Sequence, residues 1–296
     1  MLVRLLQKYG LEKFHKRLKY LNFKSINKSA DHYGLTLILG GAECTLWELS
    51  NAYYTLSKKA SNSELTKIKL IKDQEKSTFK YPYLSTEAAY ITTEMITETK
   101  RPTEQGAWKI FSSARKVAWK TGTSFGHRDA WSIGITPEFV VGVWAGNADG
   151  EGRPGLTGVK KAAPIMFDVF RLLPESSWFN PPENLVPVKA CKKSGCLPNP
   201  YCDQITTIMA PSMGIHHKTC TFHTLVLLDS TKKFQINSNC YPIHKSIKKS
   251  WFTLPPLQEW YYKYRHPDYE LLPNYRDGCG EEKYTIMDFI YPKGNT

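Results

Sequence analysis

Three short apolar runs joined by tight turns constrain the fold of this chain more than any other feature. Residues 116–120, 131–135 and 139–145 each have the length and composition of a β-strand. Turn-forming residues at 126–129 and 136–138 separate them. Strands this close in sequence usually pair side by side, so the three runs predict an antiparallel meander.

Helical patterns lie on both sides of these strands. Apolar residues at helical spacing predict one or two helices over residues 2–21 and another over 162–173. Thr45 and Glu48 have the spacing of a capping box, and Ser85 predicts a second helix start. The fold class expected is therefore α/β, an antiparallel sheet with helices.

The composition changes after Pro174, where the chain becomes rich in Pro, Cys, Lys and Tyr and loses helical periodicity. We place a domain boundary near residue 176 and expect an irregular, cysteine-containing extension over 176–282. Residues 283–296 have the pattern of the start of a further β-domain that stops almost at once. Residues 1–175 form the first region.

The chain carries a formal net charge of +13 but no signature of a nucleic-acid-binding fold, so we expect no nucleic-acid partner. No run of 18 or more apolar residues exists, so no membrane span is expected. The first residues lack the apolar core of a signal peptide.

Six of the seven cysteines fall within one region of the sequence. Clustered cysteines indicate disulfides in an oxidising compartment or a metal site in a reducing one. Cys220 and His223, with Cys191, Cys196, Cys202 and Cys240 near them, could bind zinc, but no Cys-x-x-Cys pair supports such a site. The candidates for disulfide formation are Cys191, Cys196, Cys202, Cys220, Cys240 and Cys279.

Lys120-Thr121-Gly122-Thr123 is the segment that most directly indicates chemistry. The Lys120 ammonium would attract a substrate carboxylate, and the hydroxyls of Thr121 and Thr123 can hydrogen-bond it. Gly122 would let a peptide lie flat on the strand, and the backbone N–H of Thr123 can stabilise an oxyanion. A Lys-Thr-Gly triplet on a strand is one of three motifs of penicillin-binding proteins and serine β-lactamases.

The residues around this triplet extend the likeness. Several segments resemble the penicillin-binding protein 1C family, whose members are class A bifunctional peptidoglycan synthases: Ala118–Trp131, Gly142–Asn147, Tyr33–Glu43, Arg101-Pro102, Trp251–Pro256 and Glu259–Tyr262. The resemblance implies a serine β-lactamase-like transpeptidase fold and D,D-transpeptidase activity on peptidoglycan stem peptides, with β-lactams acylating the same serine.

The sequence departs from that family at the nucleophile. The family's Ser-x-x-Lys and Ser-x-Asn motifs lie upstream of the segment that Leu2 begins, so we expect a partial transpeptidase whose nucleophile is absent from this chain. Three chance matches begin at Ser25, Ser113 and Ser246, none of them in a suitable position. Gly150–Gly155 fits a dinucleotide motif, but Pro154 and the late helix favour a flexible loop.

The function expected is a penicillin-binding transpeptidase fragment that contributes the substrate-carboxylate strand and is inactive alone. Its partners would be stem peptides, β-lactams and a missing N-terminal segment, with no cofactor. The resemblance implies the periplasmic face of the bacterial inner membrane, a location that favours disulfides over zinc. Two alternatives stay open: a non-catalytic remnant that binds peptidoglycan or a partner protein, and a zinc-dependent basic binding protein.

Overall fold

A computed structural model describes residues 2–68, 77–99, 101–102, 115–212 and 218–280. The chain divides into two compact units, the first ending at Leu185 and the second beginning at Val186. The composition of the sequence changes about ten residues before this division. None of the helices in the described ranges is both long and apolar enough to cross a lipid bilayer.

The first unit combines helices with a three-stranded antiparallel sheet in the order β1-β2-β3. The sheet confirms the predicted meander. Its strands are β1 (Ala118–Thr123), β2 (Asp129–Ile135) and β3 (Val140–Gly146). The helices are α1 (Leu2–Tyr9), α2 (Leu11–Tyr20), α3 (Ala30–Tyr33), α4 (Leu46–Ala60), α5 (Thr86–Thr97) and α6 (Ala163–Leu172).

Helices pack on both faces of the sheet. Successive residues of a strand point to opposite faces, so one strand contributes side chains to both packing layers. Trp119 of β1 lies in a cluster with Phe167 and Phe170 of α6. Its neighbour Ala118 lies in a second cluster with Ala60 of α4 and Ala89 of α5. The result is a three-layer unit, and each large apolar side chain buried in it contributes about 1.5–3 kcal/mol.

The predicted helix starts are confirmed. The Thr45 hydroxyl accepts from the Glu48 backbone N–H, and the Glu48 side chain accepts from the Thr45 N–H, a complete capping box. The Ser85 hydroxyl accepts from the backbone N–H of Ala88 at the start of α5. Residues 2–21 form two helices, separated at Gly10, where φ is 99°.

Some boundaries differ from the prediction. The first strand was expected over residues 116–120 but spans Ala118–Thr123, because pairing with β2 extends it through the polar Lys-Thr-Gly-Thr segment. Residues 150–155 form a loop, in agreement with the prediction against a dinucleotide site. A π-helical turn at Gly158–Ala162 then leads into α6.

The second unit contains two pairs of strands and one helix. Its strands are β4 (Leu185–Cys191), β5 (Ile205–Pro211), β6 (His223–Leu228) and β7 (Ile247–Phe252), paired as β4-β5 and β6-β7. The helix is α7 (Pro256–Arg265). The expected further β-domain over residues 283–296 lies outside the described residues.

Candidate functional site

The Lys-Thr-Gly-Thr segment occupies the solvent-facing end of β1. Trp119, just before it, is fully buried, whereas Lys120, Gly122 and Thr123 are exposed and Thr121 is half-buried. The buried half of the strand anchors it in the core, and this anchoring presents the polar half at the surface. Lys120 and Gly122 share the face of Ala118, and Thr121 and Thr123 share the face of Trp119.

One edge of β1 lacks a neighbouring strand within the part of the chain that the structure describes. On its other edge, Thr121 lies opposite Ser132 and Gly122 lies opposite Trp131 of β2. An edge strand presents a row of backbone N–H and C=O groups that can pair with an extended chain. The segment therefore has the geometry of a docking strand for a peptide.

The polar side chains of the segment have defined contacts. The Lys120 ammonium donates to the backbone carbonyl of Thr121 at 2.6 Å. The Thr123 Oγ1 accepts from the backbone N–H of Gly158 at 3.1 Å. Because that oxygen acts as an acceptor in this contact, its own hydrogen remains able to donate to a ligand.

Gly158 packs against the side of the segment that carries Thr121 and Thr123, and a residue with a side chain does not fit there. A Cβ at Gly158 would lie 2.4 Å from the Trp131 carbonyl oxygen and 2.5 Å from that of Gly122. At Gly122 the nearest atom to an added Cβ is the Trp131 Cβ at 3.6 Å, an ordinary contact. Gly158 is therefore required by packing, whereas a Cβ at Gly122 would be tolerated.

The turn after β1 is closed by side-chain hydrogen bonds. Ser124 Oγ accepts from the Asp129 backbone N–H at 2.8 Å, and Asp129 Oδ1 accepts from the Trp144 indole N–H at 2.9 Å. These bonds tie the end of β1 to β2 and β3. In the turn between β1 and β2, the side chain of Phe125 is 98% exposed to solvent.

The chance matches to a nucleophile motif have other roles or locations. Ser25 donates its hydroxyl to Glu48 Oε2 at 2.7 Å and its backbone N–H to Oε1 at 2.9 Å, so it fixes the start of α4. The Ser246 hydroxyl donates to the Ile243 carbonyl in the second unit. Ser113 lies outside the described residues.

The cysteines of the second unit behave as two groups. Cys240 and Cys279 form a disulfide with an S–S distance of 2.07 Å. The other four, Cys191, Cys196, Cys202 and Cys220, are free thiols, so the structure differs from the disulfides favoured for them. Three of those four lie around the ring of His223.

Sequence reasoning grouped Cys220 and His223 with four nearby cysteines as a possible zinc site but favoured disulfides and did not select Cys191 and Cys202 among the four. The available signal was the Cys-x-x-His spacing of 220–223. Burial raises the pKa of the Cys220 thiol, but hydrogen bonds from the Ser194 hydroxyl and the His223 ring outweigh burial and lower it overall.

Known proteins share both the sequence and the fold of much of this chain. Penicillin-binding protein 1C of Escherichia coli (strain K12) is 30% identical over 196 residues, which cover 66% of this chain and 24% of the relative. A crystal structure of penicillin-binding protein 1A from Haemophilus influenzae superposes with a TM-score of 0.50 at 21% identity. About two thirds of this chain is thus similar in sequence to a penicillin-binding protein.

Further comparisons define the extent of the relationship. Penicillin-binding protein 1A of Aquifex aeolicus (strain VF5) is 34% identical over 113 residues, 36% of this chain and 15% of that relative. The superposition on the Haemophilus penicillin-binding protein covers 73% of this chain and 38% of that structure. No family model matches the sequence. The chain spans about a quarter of the length of its Escherichia coli penicillin-binding relative.

Proposed function

We propose that this chain provides the strand that binds the substrate's terminal carboxylate in a peptidoglycan D,D-transpeptidase, an enzyme that cross-links the cell wall. The observation that carries the proposal is the position of Lys120-Thr121-Gly122-Thr123 at the exposed end of an edge strand. The names of the relatives, all penicillin-binding proteins, support the same activity.

The open edge of β1 suits an extended peptide. A stem peptide pairing with this edge would form backbone hydrogen bonds of the kind that add a strand to a sheet. Gly122 is exposed and has no side chain, so it does not obstruct a ligand. The buried Trp119 and the Gly158 turn hold the strand in place without the ligand, which reduces the ordering cost of binding.

The charge and hydroxyl groups of the segment suit a carboxylate. Lys120 is exposed, and moving its ammonium from the Thr121 carbonyl to a ligand would replace a neutral acceptor with a charged one. The charged acceptor adds Coulomb attraction between the ammonium and the carboxylate. The Thr123 hydroxyl hydrogen would add a second donor to the same carboxylate.

In this proposal the acylated serine comes from a Ser-x-x-Lys motif on another segment, because the match at Ser113 runs directly into the Lys-Thr-Gly strand in sequence and does not suit a nucleophile. The complete enzyme would act at the periplasmic face of the bacterial inner membrane, with stem peptides as substrates and β-lactams as inhibitors. No cofactor takes part in the proposed acyl transfer, because the serine and the positioned donors carry out the chemistry.

Binding of a short peptide ending in D-Ala-D-Ala to the purified chain tests the proposal. We expect the peptide to bind more tightly than its C-terminal amide, since only the free carboxylate attracts Lys120. Lys120→Ala should weaken binding of the free acid by about tenfold, which corresponds to roughly 1.4 kcal/mol of binding free energy. The variant should no longer bind the acid more tightly than the amide. NMR titration or calorimetry measures both affinities.

Lys189→Ala is the matched control, because Lys189 is also an exposed lysine on a strand but lies in the second unit. It should bind both peptides as the unchanged protein does. If the acid and the amide bind equally to the unchanged chain, or if Lys120→Ala has no effect, Lys120 does not bind the carboxylate.

The alternative of a non-catalytic peptide-binding module shares the same edge strand and predicts the same binding result. The two differ in acylation, which requires a serine nucleophile beside Lys120. An open reading frame upstream that encodes Ser-x-x-Lys and Ser-x-Asn would favour the enzyme, and a stop codon there would favour the binding module.

A further inference from the structure

A cluster of four metal-binding side chains lies in the second unit, far along the sequence from the Lys-Thr-Gly-Thr segment. It consists of Cys191 at the end of β4, Cys202 before β5, Cys220 before β6 and His223 at the start of β6. Their ligand atoms all lie within 4.8 Å of one another. Cys191, Cys220 and His223 are almost completely buried, with exposures of 1%, 3% and 2%.

The distances within the cluster match a tetrahedral metal site. His223 Nδ1 lies 3.5 Å from the sulfur of Cys191, 3.7 Å from that of Cys202 and 3.4 Å from that of Cys220. With Zn–S bonds of about 2.3 Å and Zn–N bonds of about 2.05 Å, tetrahedral angles place nitrogen and sulfur about 3.6 Å apart. We propose that Cys191, Cys202, Cys220 and His223 bind one structural zinc ion.

Groups around the cluster orient its ligands as a zinc site requires. The other ring nitrogen of His223, Nε2, lies 3.1 Å from Asp203 Oδ1, although the two are not aligned as a hydrogen bond. A carboxylate at this ring nitrogen favours the tautomer that leaves Nδ1 available for a metal. The Asn199 side-chain amide donates to the carbonyls of Cys220 and His223 at 2.8 Å each.

The sulfurs also accept hydrogen bonds suited to thiolates. The backbone N–H of Asn199 donates to Cys202 Sγ at 3.3 Å, and the Ser194 hydroxyl donates to Cys220 Sγ at 3.2 Å. Three thiolates and one imidazole fill the four positions of tetrahedral zinc, so the site has no open position for a substrate. Its role is to hold together three segments of an irregular unit: the end of β4, the residues before β5 and the start of β6.

A disulfide explains this arrangement less well. A disulfide uses two sulfurs, and it would leave the third thiol and the inward-facing Nδ1 of His223 without a common partner. The same unit already contains a disulfide between Cys240 and Cys279, whose sulfurs lie at bonding distance. The ligand set also suits zinc by chemistry, since three sulfurs and one imidazole in a tetrahedral site are typical of it.

Metal and thiol analysis of the purified full chain tests the proposal. We expect one zinc ion per chain by elemental analysis. After denaturation with a chelator and without reductant, all five cysteines outside the Cys240–Cys279 disulfide should react as thiols. A cluster containing a disulfide would instead hide two of these five thiols and bind no zinc.

Variants localise the ion. Cys202→Ser and His223→Ala should lose most of the zinc, whereas His223→Cys should retain it because a fourth thiolate can replace the imidazole. Cys196→Ser is the matched control, since Cys196 is a free cysteine of the same unit whose thiol donates to the Ser194 carbonyl outside the cluster. It should keep one zinc ion per chain.

Cobalt substitution gives a result that does not depend on how well the variants fold. Replacing zinc by Co²⁺ in the unchanged chain should produce thiolate-to-cobalt charge transfer and the visible bands of tetrahedral cobalt. Zinc well below one ion per chain with two thiols missing, or zinc retained fully by Cys202→Ser, would overturn the proposal. This inference is independent of the proposed transpeptidase function.

Discussion

At the scale of single residues, the two glycines beside the candidate site have different tasks. Gly158 is enclosed by the backbone oxygens of Trp131 and Gly122, whereas Gly122 itself has space for a Cβ. We expect Gly158→Ala to lower the free energy of unfolding by about 1–3 kcal/mol, as overpacking does elsewhere. Gly122→Ala should leave stability almost unchanged and should weaken peptide binding.

Urea denaturation and peptide titration of both variants measure these effects. Each variant is the control for the other, because both add one methyl group next to the same pair of strands. Equal loss of stability in the two variants would show that the packing around Gly158 is less restrictive than the structure indicates.

Glu48 is a residue-scale source of acid sensitivity. Burial raises its pKa, but hydrogen bonds from the Thr45 backbone N–H and from the Ser25 hydroxyl and N–H outweigh burial and lower it from 4.5 to about 2. A carboxyl whose pKa is lower in the folded state stabilises the fold above pH 4.5, and this contribution is lost as pH falls towards 2.

We therefore expect Glu48→Gln to remove roughly 1–3 kcal/mol of stability at neutral pH and much less near pH 2. Glu43→Gln, at an exposed position just before the helix, should have little effect at either pH. Thermal or urea unfolding across this pH range measures the difference. A constant effect of Glu48→Gln from neutral pH to pH 2 would contradict the assigned pKa.

At the scale of elements, β3 presents an apolar strand edge. In the ranges that the structure describes, β3 pairs only with β2, and its edge residues carry neither charge nor proline. Such an edge can pair with a second chain. We expect the isolated chain to self-associate at micromolar concentrations, as light scattering and sedimentation would show.

The side chain of Trp144 on β3 is 39% exposed. Trp144→Lys places a charge on this strand and should reduce self-association of the chain. Leu172→Lys is the control: Leu172 is 87% exposed on α6, away from the strand edge, and its replacement should change association less. A monodisperse monomer for the unchanged chain would show that the β3 edge does not drive self-association.

Local patterns predicted most of these elements. The capping box of Thr45 and Glu48, the cap at Ser85 and the three-strand meander all follow from short-range rules, and the structure confirms them. The extent of β1 did not follow, because Lys120, Gly122 and their neighbours resemble a turn more than a strand. Pairing with β2 determines where that strand ends.

The candidate sites differ in how far the sequence reveals them. Lys120 to Thr123 form one continuous motif, so the chain itself keeps them close together, although their role in binding stays a prediction. Cys191, Cys202 and Cys220 belong to one cysteine-rich region, but only the folded chain shows which of its cysteines surround His223. Contacts between distant segments depend on tertiary structure, which spacing alone does not specify.

At the scale of the whole molecule, each compact unit carries its own candidate chemistry. The first unit holds the Lys-Thr-Gly-Thr strand, and the second holds the cysteine–histidine cluster and the disulfide. Loss of zinc should therefore lower the stability of the second unit without removing the peptide-binding groups of the first. The proposed catalysis depends on the first unit.

Acylation by a fluorescent penicillin tests the central claim most directly. The measurement uses a protein that joins this chain to a segment carrying Ser-x-x-Lys and Ser-x-Asn, with labelling followed on a denaturing gel. The chain by itself should show no labelled band, because none of its described serines lies in a suitable nucleophile motif.

In the joined protein, Lys120→Ala should slow acylation by about 30- to 1000-fold, which corresponds to roughly 2–4 kcal/mol of lost transition-state stabilisation. Lys189→Ala should be acylated at the unchanged rate. Equal rates for Lys120→Ala and the unchanged joined protein would contradict the assignment of Lys120 to the substrate carboxylate.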